Sequence, residues 1–591
     1  MEGGDSMFTQ KWKTSERKYD IIEERDVGIP TRDGTILVGN IFRPKAEGRF
    51  PVILGCHPYN TELQTTPLWP TAHDSLRGFI ESGDPAFYVR RGYVQAIFNV
   101  RGTGKSQGEY QMLGPLEAQD IYDLMEKLAR EPWSTGKVGM FGVSYFAMIQ
   151  QAVASLNPPS LKAIFAPFAL TDPYRDHRYH GGILSQGFMK HWGRHFCNPR
   201  PFSWTRNRLG EEGYRQAINA AMHDEDIVCI PHLREALENP DKGWNIVIVD
   251  TVLNYLDNEY WRERSVNYEN AHVPAYLGAC WGNYGLHLLG AFRSWRLWKG
   301  PKKLVIGPPV SVDRPLYQYH YESLRWFDFW LKGIENGMMD SPPVRLFIPP
   351  TGEWKSSSEW PLPETQWTPF YLHAAELLSE HELWPKEGSD SYFDSTFSHG
   401  SLIYTTPKLV ENTEVIGPIV VNLYASSTDK EMLLFSTLLV VDRDGAEHEL
   451  TRGWLRASQR GLRKDSEPWD PILDHTEREP LEPGVIYELR FSMVPTARLF
   501  IAGEKIRIRI KSADDEKPKN RLEAFSRNHV WRQTPSRVTI YHDEGHPSCV
   551  LLPVTRGNLI GTYISGGDMP VPGEEPGVLP SGKIDMPKEI K

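Results

Sequence analysis

At 591 residues the chain is too long for one compact core, and two or three domains are the natural division. Apolar residues make up 40% and charged residues 24%, a globular composition that excludes disorder as the main state. The net charge of −10 leaves no footprint for nucleic acid, and no apolar run approaches the length of a membrane span.

Aromatic residues reach 12%, with 19 Trp, so large rings must fill much of the interior or line pockets. Residues 1–8 lack the charged-then-apolar pattern of a secretory signal, which points to an intracellular, cytoplasmic setting. The five cysteines (Cys56, Cys197, Cys229, Cys280 and Cys549) are scattered, with no Cys-x-x-Cys pair and no His/Cys spacing for a metal, so free thiols are expected.

In chain order, residues up to about Tyr19 are polar. Asp33-Gly34 between the apolar runs Val27–Pro30 and Ile36–Arg43 predicts a hairpin. Residues 51–56 and 93–100 read as short strands buried on both faces, and residues 120–129 have helical periodicity. The stretch Lys137-Val-Gly-Met-Phe-Gly-Val-Ser144 reads as another buried strand that snaps at Ser144 into a helix through residues 148–154. Strand, helix, strand, helix predicts a mostly parallel sheet covered on both faces.

From about 172 to 270 the text becomes aromatic, His-rich and helical, which predicts a cap inserted into the sheet domain above the Ser144 turn. Buried strands resume at 273–280 and 303–309. A helix over 324–333 then ends at a Gly333 cap. After Pro342-Pro343 the chain turns β-rich, with strict alternation over Lys505–Ile510, and predicts a β-sandwich. The expected division is 20–171 and 271–340 for the α/β domain, 172–270 for the cap and 341–591 for the sandwich.

A strand that breaks into a helix at a serine is how an α/β-hydrolase raises a nucleophile above its sheet. Gly142 precedes Ser144 by two residues, but Phe146 stands where a second glycine is usual. An ordinary turn serine is the competing reading of this segment. Gly102-Thr-Gly-Lys105-Ser106 lacks the spacing of a phosphate loop, and the acids at 224–226 read as a solvated face. No metal constellation or cofactor motif is present.

Several segments together resemble the cocaine-esterase-like hydrolases related to X-Pro dipeptidyl-peptidases. They are Pro30-Thr-Arg-Asp-Gly-Thr, Asn99-Val-Arg-Gly-Thr-Gly-Lys-Ser106, Gly139-Met-Phe-Gly-Val-Ser-Tyr145, Tyr174-Arg-Asp with His180-Gly-Gly, and Arg325-Trp-Phe-Asp. Thr451-Arg-Gly-Trp and Leu481-Glu-Pro-Gly add to them. The resemblance implies an α/β-hydrolase domain with a helical cap and a C-terminal β jelly roll. It also implies that Ser144 is the nucleophile, that the Tyr145 backbone N–H and the Tyr59 hydroxyl hold the oxyanion, and that His180 belongs to the cap.

Against this pattern, Asn283 stands where the resemblance expects an aspartate, and Ser311 occupies the region where it expects the histidine base. Asn accepts a hydrogen bond from an imidazole but offers no charge to an imidazolium. His287, four residues after Asn283, is the first choice for a replacement base, with His57 and His320 behind it. Each is weighed against a structural role, and the text around His287 reads as a helix that could turn it into packing. Trp192, Phe196, Trp204, Trp244 and Trp281 are candidate pocket walls, with His180 and His320, and core packing is the competing reading.

Three functions follow. The first is a serine-dependent hydrolase or acyltransferase acting on a small hydrophobic ester, lactone or amide through Ser144 with a non-standard base. The second is a repurposed, non-hydrolytic enzyme that carries out cyclisation, elimination or C–C rearrangement in the same pocket. The third is an inactive binding homologue. A small hydrophobic molecule is the expected partner, neither nucleic acid nor membrane is, and assembly into a homo-oligomer is compatible with the chain.

Overall fold

A computed structural model describes residues 13–61, 81–189, 192, 197, 199–309, 315–382, 386, 388–514 and 527–557, with the side chains of 315–318 excepted. The predicted Ser311 and Phe196 lie outside these residues.

Ten strands form the first sheet: β1 (Ile21–Pro30), β2 (Ile36–Pro44), β3 (Phe50–His57), β4 (Val94–Asn99), β5 (Ser134–Phe141), β6 (Leu161–Pro167), β9 (Ala275–Cys280), β10 (Lys302–Gly307), β11 (Val344–Ile348) and β12 (Glu353–Ser357). The small hairpin β7 (Tyr179–His180) and β8 (Ile183–Leu184) stands apart from it. The order is β1-β2-β4-β3-β5-β6-β9-β10-β11-β12. Pairings from β4 through β11 are parallel, and the edges at β1–β2, β2–β4 and β11–β12 are antiparallel. Every residue of β3, β4 and β9 is buried, as continuous apolar strands between two helical layers require. Two strands beyond the expected border at residue 341 belong to this sheet, because Val344 extends the parallel ladder opposite Leu304.

The predicted hairpin is β1–β2, with Gly34 in the left-handed region at its turn. The glycine-rich stretch after Asn99 is structural. Arg101 joins Asp120 (2.6 Å) and Asp33 (2.8 Å), and the Ser106 hydroxyl donates to the Asn99 carbonyl (2.8 Å).

Helices Pro115–Arg130 and Tyr145–Ala154 flank the sheet, and Leu288–Leu297 and Pro315–Lys332 follow β9 and β10. The last begins well before the predicted Leu324. It closes at Gly333 (φ 69°), where the Ile334 N–H bonds the Asp328 carbonyl at 2.9 Å in a left-handed cap. Between β8 and β9 lie the helices Trp204–Ala221, Glu225–Val228, Pro231–Glu238, Asn245–Leu253 and Glu259–Arg262. The second large sheet contains thirteen strands, and its first and last members, Gln366–His373 and Cys549–Arg556, pair with each other. Cys549–Arg556 also pairs with Thr413–Ser427, which closes the sheet into a jelly-roll sandwich around Leu423, Leu438, Phe491 and Ile508. Among the described residues, no helix is long and apolar enough to cross a membrane.

Candidate active site

The turn between β5 and Tyr145–Ala154 carries Ser144 at φ 57°, ψ −123°, a strained geometry for a residue with a side chain. Gly142 makes the approach to it feasible. Its φ is 137°, and a Cβ there would meet the Phe146 Cβ at 2.5 Å and the Glu81 carbonyl at 2.9 Å. That carbonyl accepts the Val143 N–H at 2.9 Å, and Gln150 Nε2 donates to the Gly142 carbonyl at 2.9 Å. Phe146, in place of the second glycine, lays its ring over Gly55 of β3, where a Cβ would come within 3.0 Å of it. The strand supplies the room that the turn does not.

Ser144 Oγ lies 3.5 Å from His287 Nε2. His287 is the N-cap of Leu288–Leu297, at φ −114°, rather than a residue inside the helix. The helix start can dock closely because residue 290 is glycine, where a Cβ would stand 2.3 Å from the Ala169 carbonyl. Phe168 meets the imidazole edge-on at 6.1 Å. The His287 ring is completely buried, and burial pushes its pKa down to about 3. With Nε2 facing the hydroxyl, the ring proton belongs on Nδ1, which has no hydrogen-bond partner among the described residues.

Asn283 does not fill that gap. Its carbonyl accepts the His287 N–H at 3.2 Å, yet its fully buried side-chain amide has no partner among the described residues. The two residues thus meet through this main-chain bond and not through an Asn–imidazole bond.

The Tyr145 N–H stands at the first position of its helix, where the backbone dipole favours negative charge. Its phenol is committed elsewhere. It donates to Glu117 Oε2 at 2.5 Å and accepts the Leu113 N–H at 3.2 Å, while Leu113 N–H also reaches Glu117 Oε1 at 2.9 Å. Burial raises the Glu117 pKa to about 8, opposed by the bond from Tyr145. The Tyr59 hydroxyl is buried with no hydrogen-bond partner among the described residues. Burial holds the phenol well above its usual range, Glu81 adds to that shift and Ser144 opposes it.

Trp192 stacks on Tyr145 at 6.0 Å and meets Tyr59 edge-on at 5.8 Å, and Trp244 packs behind it at 5.7 Å. The other candidates go elsewhere. His57 accepts the Tyr59 N–H on Nδ1 at 3.2 Å and stacks on Phe146 at 5.0 Å, with its pKa driven to about 3 by burial. It supports the oxyanion side as a neutral ring and makes no hydrogen bond to Ser144. His320 accepts the Asp84 N–H at 3.1 Å and stacks on Phe87 at 4.7 Å. Trp281 donates to the Phe347 carbonyl at 2.7 Å and packs on Phe292, in the core under β11. His180 bonds His529 at 2.8 Å and stacks on Trp454 of the sandwich at 4.5 Å, so it ties the two sheet systems together rather than lining a pocket. Trp204 packs on Tyr260 and donates to Glu263 on a wide surface cleft of about 540 Å³ that contains neither Ser144 nor His287.

Sequence reasoning missed Glu117 and Glu81. Glu117 lies three residues before the helix predicted over 120–129, and nothing in the sequence pointed to the second as a neighbour of Tyr59.

Comparison with known proteins gives a consistent result. A profile of the X-Pro dipeptidyl-peptidase (S15) family matches residues 33–310, and one of the X-Pro dipeptidyl-peptidase C-terminal non-catalytic domain matches residues 336–551. The chain is 26% identical to the cocaine esterase of Rhodococcus sp. (strain MB1 Bresler), over 90% of this chain and 98% of the relative. It is 25% identical to a putative serine esterase of Mycobacterium bovis, over 89% and 94%. Among solved structures, a CocE/NonD family hydrolase from Staphylococcus aureus superposes with a TM-score of 0.75 at 27% identity, covering 91% of this chain and 94% of that one.

Proposed function

Since the chain belongs to the X-Pro dipeptidyl-peptidase (S15) family of serine hydrolases, we propose that it cleaves a small, largely apolar ester, lactone or amide with Ser144 as nucleophile and His287 as base. The observation that carries this reading is the 3.5 Å approach of His287 Nε2 to a serine held on a strained turn.

His287 Nε2 takes the proton as Ser144 Oγ attacks the substrate carbonyl, and returns it to the leaving group. The Tyr145 N–H and the Tyr59 hydroxyl receive the developing oxyanion. Water then enters from the same side and attacks the acyl carbon as it gives its proton to His287, and the acid is released as His287 passes that proton to Ser144 Oγ. With no carboxylate on Nδ1 among the described residues, the imidazolium is stabilised only by its surroundings, so turnover is expected below that of a full triad, by up to about 10⁴-fold.

The test is labelling with a fluorophosphonate probe, with peptide mapping. Ser144 is the expected site, and Ser144→Ala should abolish both labelling and hydrolysis of 4-nitrophenyl butyrate. Hydrolysis persisting in Ser144→Ala would reject the reading. A substrate converted to its isomer, with no oxygen taken up from labelled water, would favour the non-hydrolytic alternative.

A further inference from the structure

The π-helical turn Tyr174–Arg178 carries three acidic or guanidinium side chains, and two of them are fully answered. Arg175 pairs with Asp172 (2.9 Å) and Asp257 (2.7 Å), and Asp176 pairs with Arg293 (2.7 Å). Arg178 is not. It is 1% exposed, yet it forms no ion pair among the described residues. Among the described residues its Nη2 reaches only the Met112 thioether at 3.4 Å, and Nη1 has no hydrogen-bond partner. A buried guanidinium without a counter-charge is strongly unfavourable unless something completes it.

Its surroundings share the deficit. His177 is 2% exposed, and neither ring nitrogen has a hydrogen-bond partner among the described residues. Arg264, whose Nη1 lies 3.9 Å from Glu263, keeps Nε without a hydrogen-bond partner among the described residues. All three line one cleft with Met112, Leu113 and Tyr260. Burial lowers the Arg178 pKa only to about 10, so it stays cationic at neutral pH. Glu117, which bears on Arg264, is largely protonated there. The cleft therefore holds excess positive charge and several unused donors, the composition of an anion site.

A chain of packed rings links it to the candidate active site. The His177 ring meets Phe188 at 5.6 Å, Phe188 stacks on Trp192 at 5.2 Å, and Trp192 stacks on Tyr145 beside the nucleophile. On its other side Arg178 feels the phenol of Tyr110, whose ring lies 6.5 Å from that of Tyr145. The cleft leaves about 10 Å³ free, room for one oxygen of a carboxylate to enter. Met112 and Leu113, both at positive φ, form its rim.

We propose that Arg178 and His177 bind a free carboxylate on the substrate, so that the enzyme acts on otherwise apolar esters that carry one acidic group. This rests on the reading of Ser144 as nucleophile for its catalytic test but not for its binding test. The two substrates are the 4-nitrophenyl half-ester of adipic acid and the uncharged 4-nitrophenyl hexanoate, compared as a ratio of kcat/KM in the wild type, Arg178→Met and Arg178→Lys. The wild type should favour the half-ester by about tenfold or more. Arg178→Met should bring the ratio to about one, and Arg178→Lys should retain part of it. In parallel, monomethyl adipate should raise the Tm of the wild type and not that of Arg178→Met, a readout that needs no turnover.

Equal ratios in wild type and Arg178→Met, or a wild-type preference for hexanoate, would overturn the proposal while leaving the hydrolase reading intact. No turnover of either ester with the Tm shift preserved would do the reverse. Arg178→Met should melt at or above the wild type, because it removes an uncompensated buried charge. A collapse of its fold would mark Arg178 as structural and also overturn the proposal.

Discussion

Ser144 and His287 are separated by 143 residues, and the fold brings Oγ and Nε2 to 3.5 Å through two unrelated close approaches. One is the Gly142 turn after β5, and the other is the docking of Gly290 on Ala169 and Leu170. Because burial holds the His287 pKa at about 3 rather than 6.5, the ring stays neutral and competent as a base far into the acidic range. The kcat/KM for a neutral ester should thus stay level from about pH 8 down to about pH 5, where an ordinary histidine base would already be lost. A pH–rate profile falling with an apparent pKa near 6.5 would contradict this.

The same burial has a stability signature. The folded pKa of His287, like those of His57 and His180, lies below its unfolded value of about 6.5. The associated stability is present above pH 6.5 and is lost as pH falls from there toward 3, since the unfolded chain takes up protons first. The Tm of the wild type should drop between pH 7 and pH 5, and His287→Phe should drop less. Equal drops would exclude His287 as a contributor.

Glu117 acts with the opposite sign. Its folded pKa of about 8 lies above the ordinary 4.5, so its contribution is full below pH 4.5 and is lost as pH rises through 8. Glu117→Gln, which keeps a bond to Tyr145 without a charge, should lose less Tm than the wild type between pH 5 and pH 9. Calorimetry at both ends reads this directly.

Gly142→Ala tests the turn. The substituted Cβ would fall 2.5 Å from the Phe146 Cβ and take a φ of 137°. The expected cost is about 3 kcal/mol or more, together with loss of ester hydrolysis, measured by denaturant unfolding and by initial rates. Unchanged stability would mean that the turn relaxes into another path.

Much of this architecture was legible in the sequence. Continuous apolar strands between glycines gave the parallel sheet, and Gly-x-Ser between strand and helix gave the turn at Ser144. What the sequence could not carry was which polar residues would find partners. His180 and Trp281 sit among aromatic residues in the chain much as Trp192 does, yet only Trp192 reaches Tyr59 and Tyr145. Arg175 and Arg178 are three residues apart and chemically alike, but Asp172 and Asp257 fold onto the first alone. Pairing of that kind is decided by contacts between distant segments, and spacing along one segment does not encode it.

The most direct test of the account is the rate of acylation of Ser144 in the wild type and in His287→Gln, followed by rapid quench with 4-nitrophenyl butyrate and peptide mass mapping. The account predicts an acyl group on Ser144 in the wild type and acylation slower by about 10³-fold or more in His287→Gln, with the fold retained. Acylation of Ser144 at the wild-type rate in His287→Gln would contradict it.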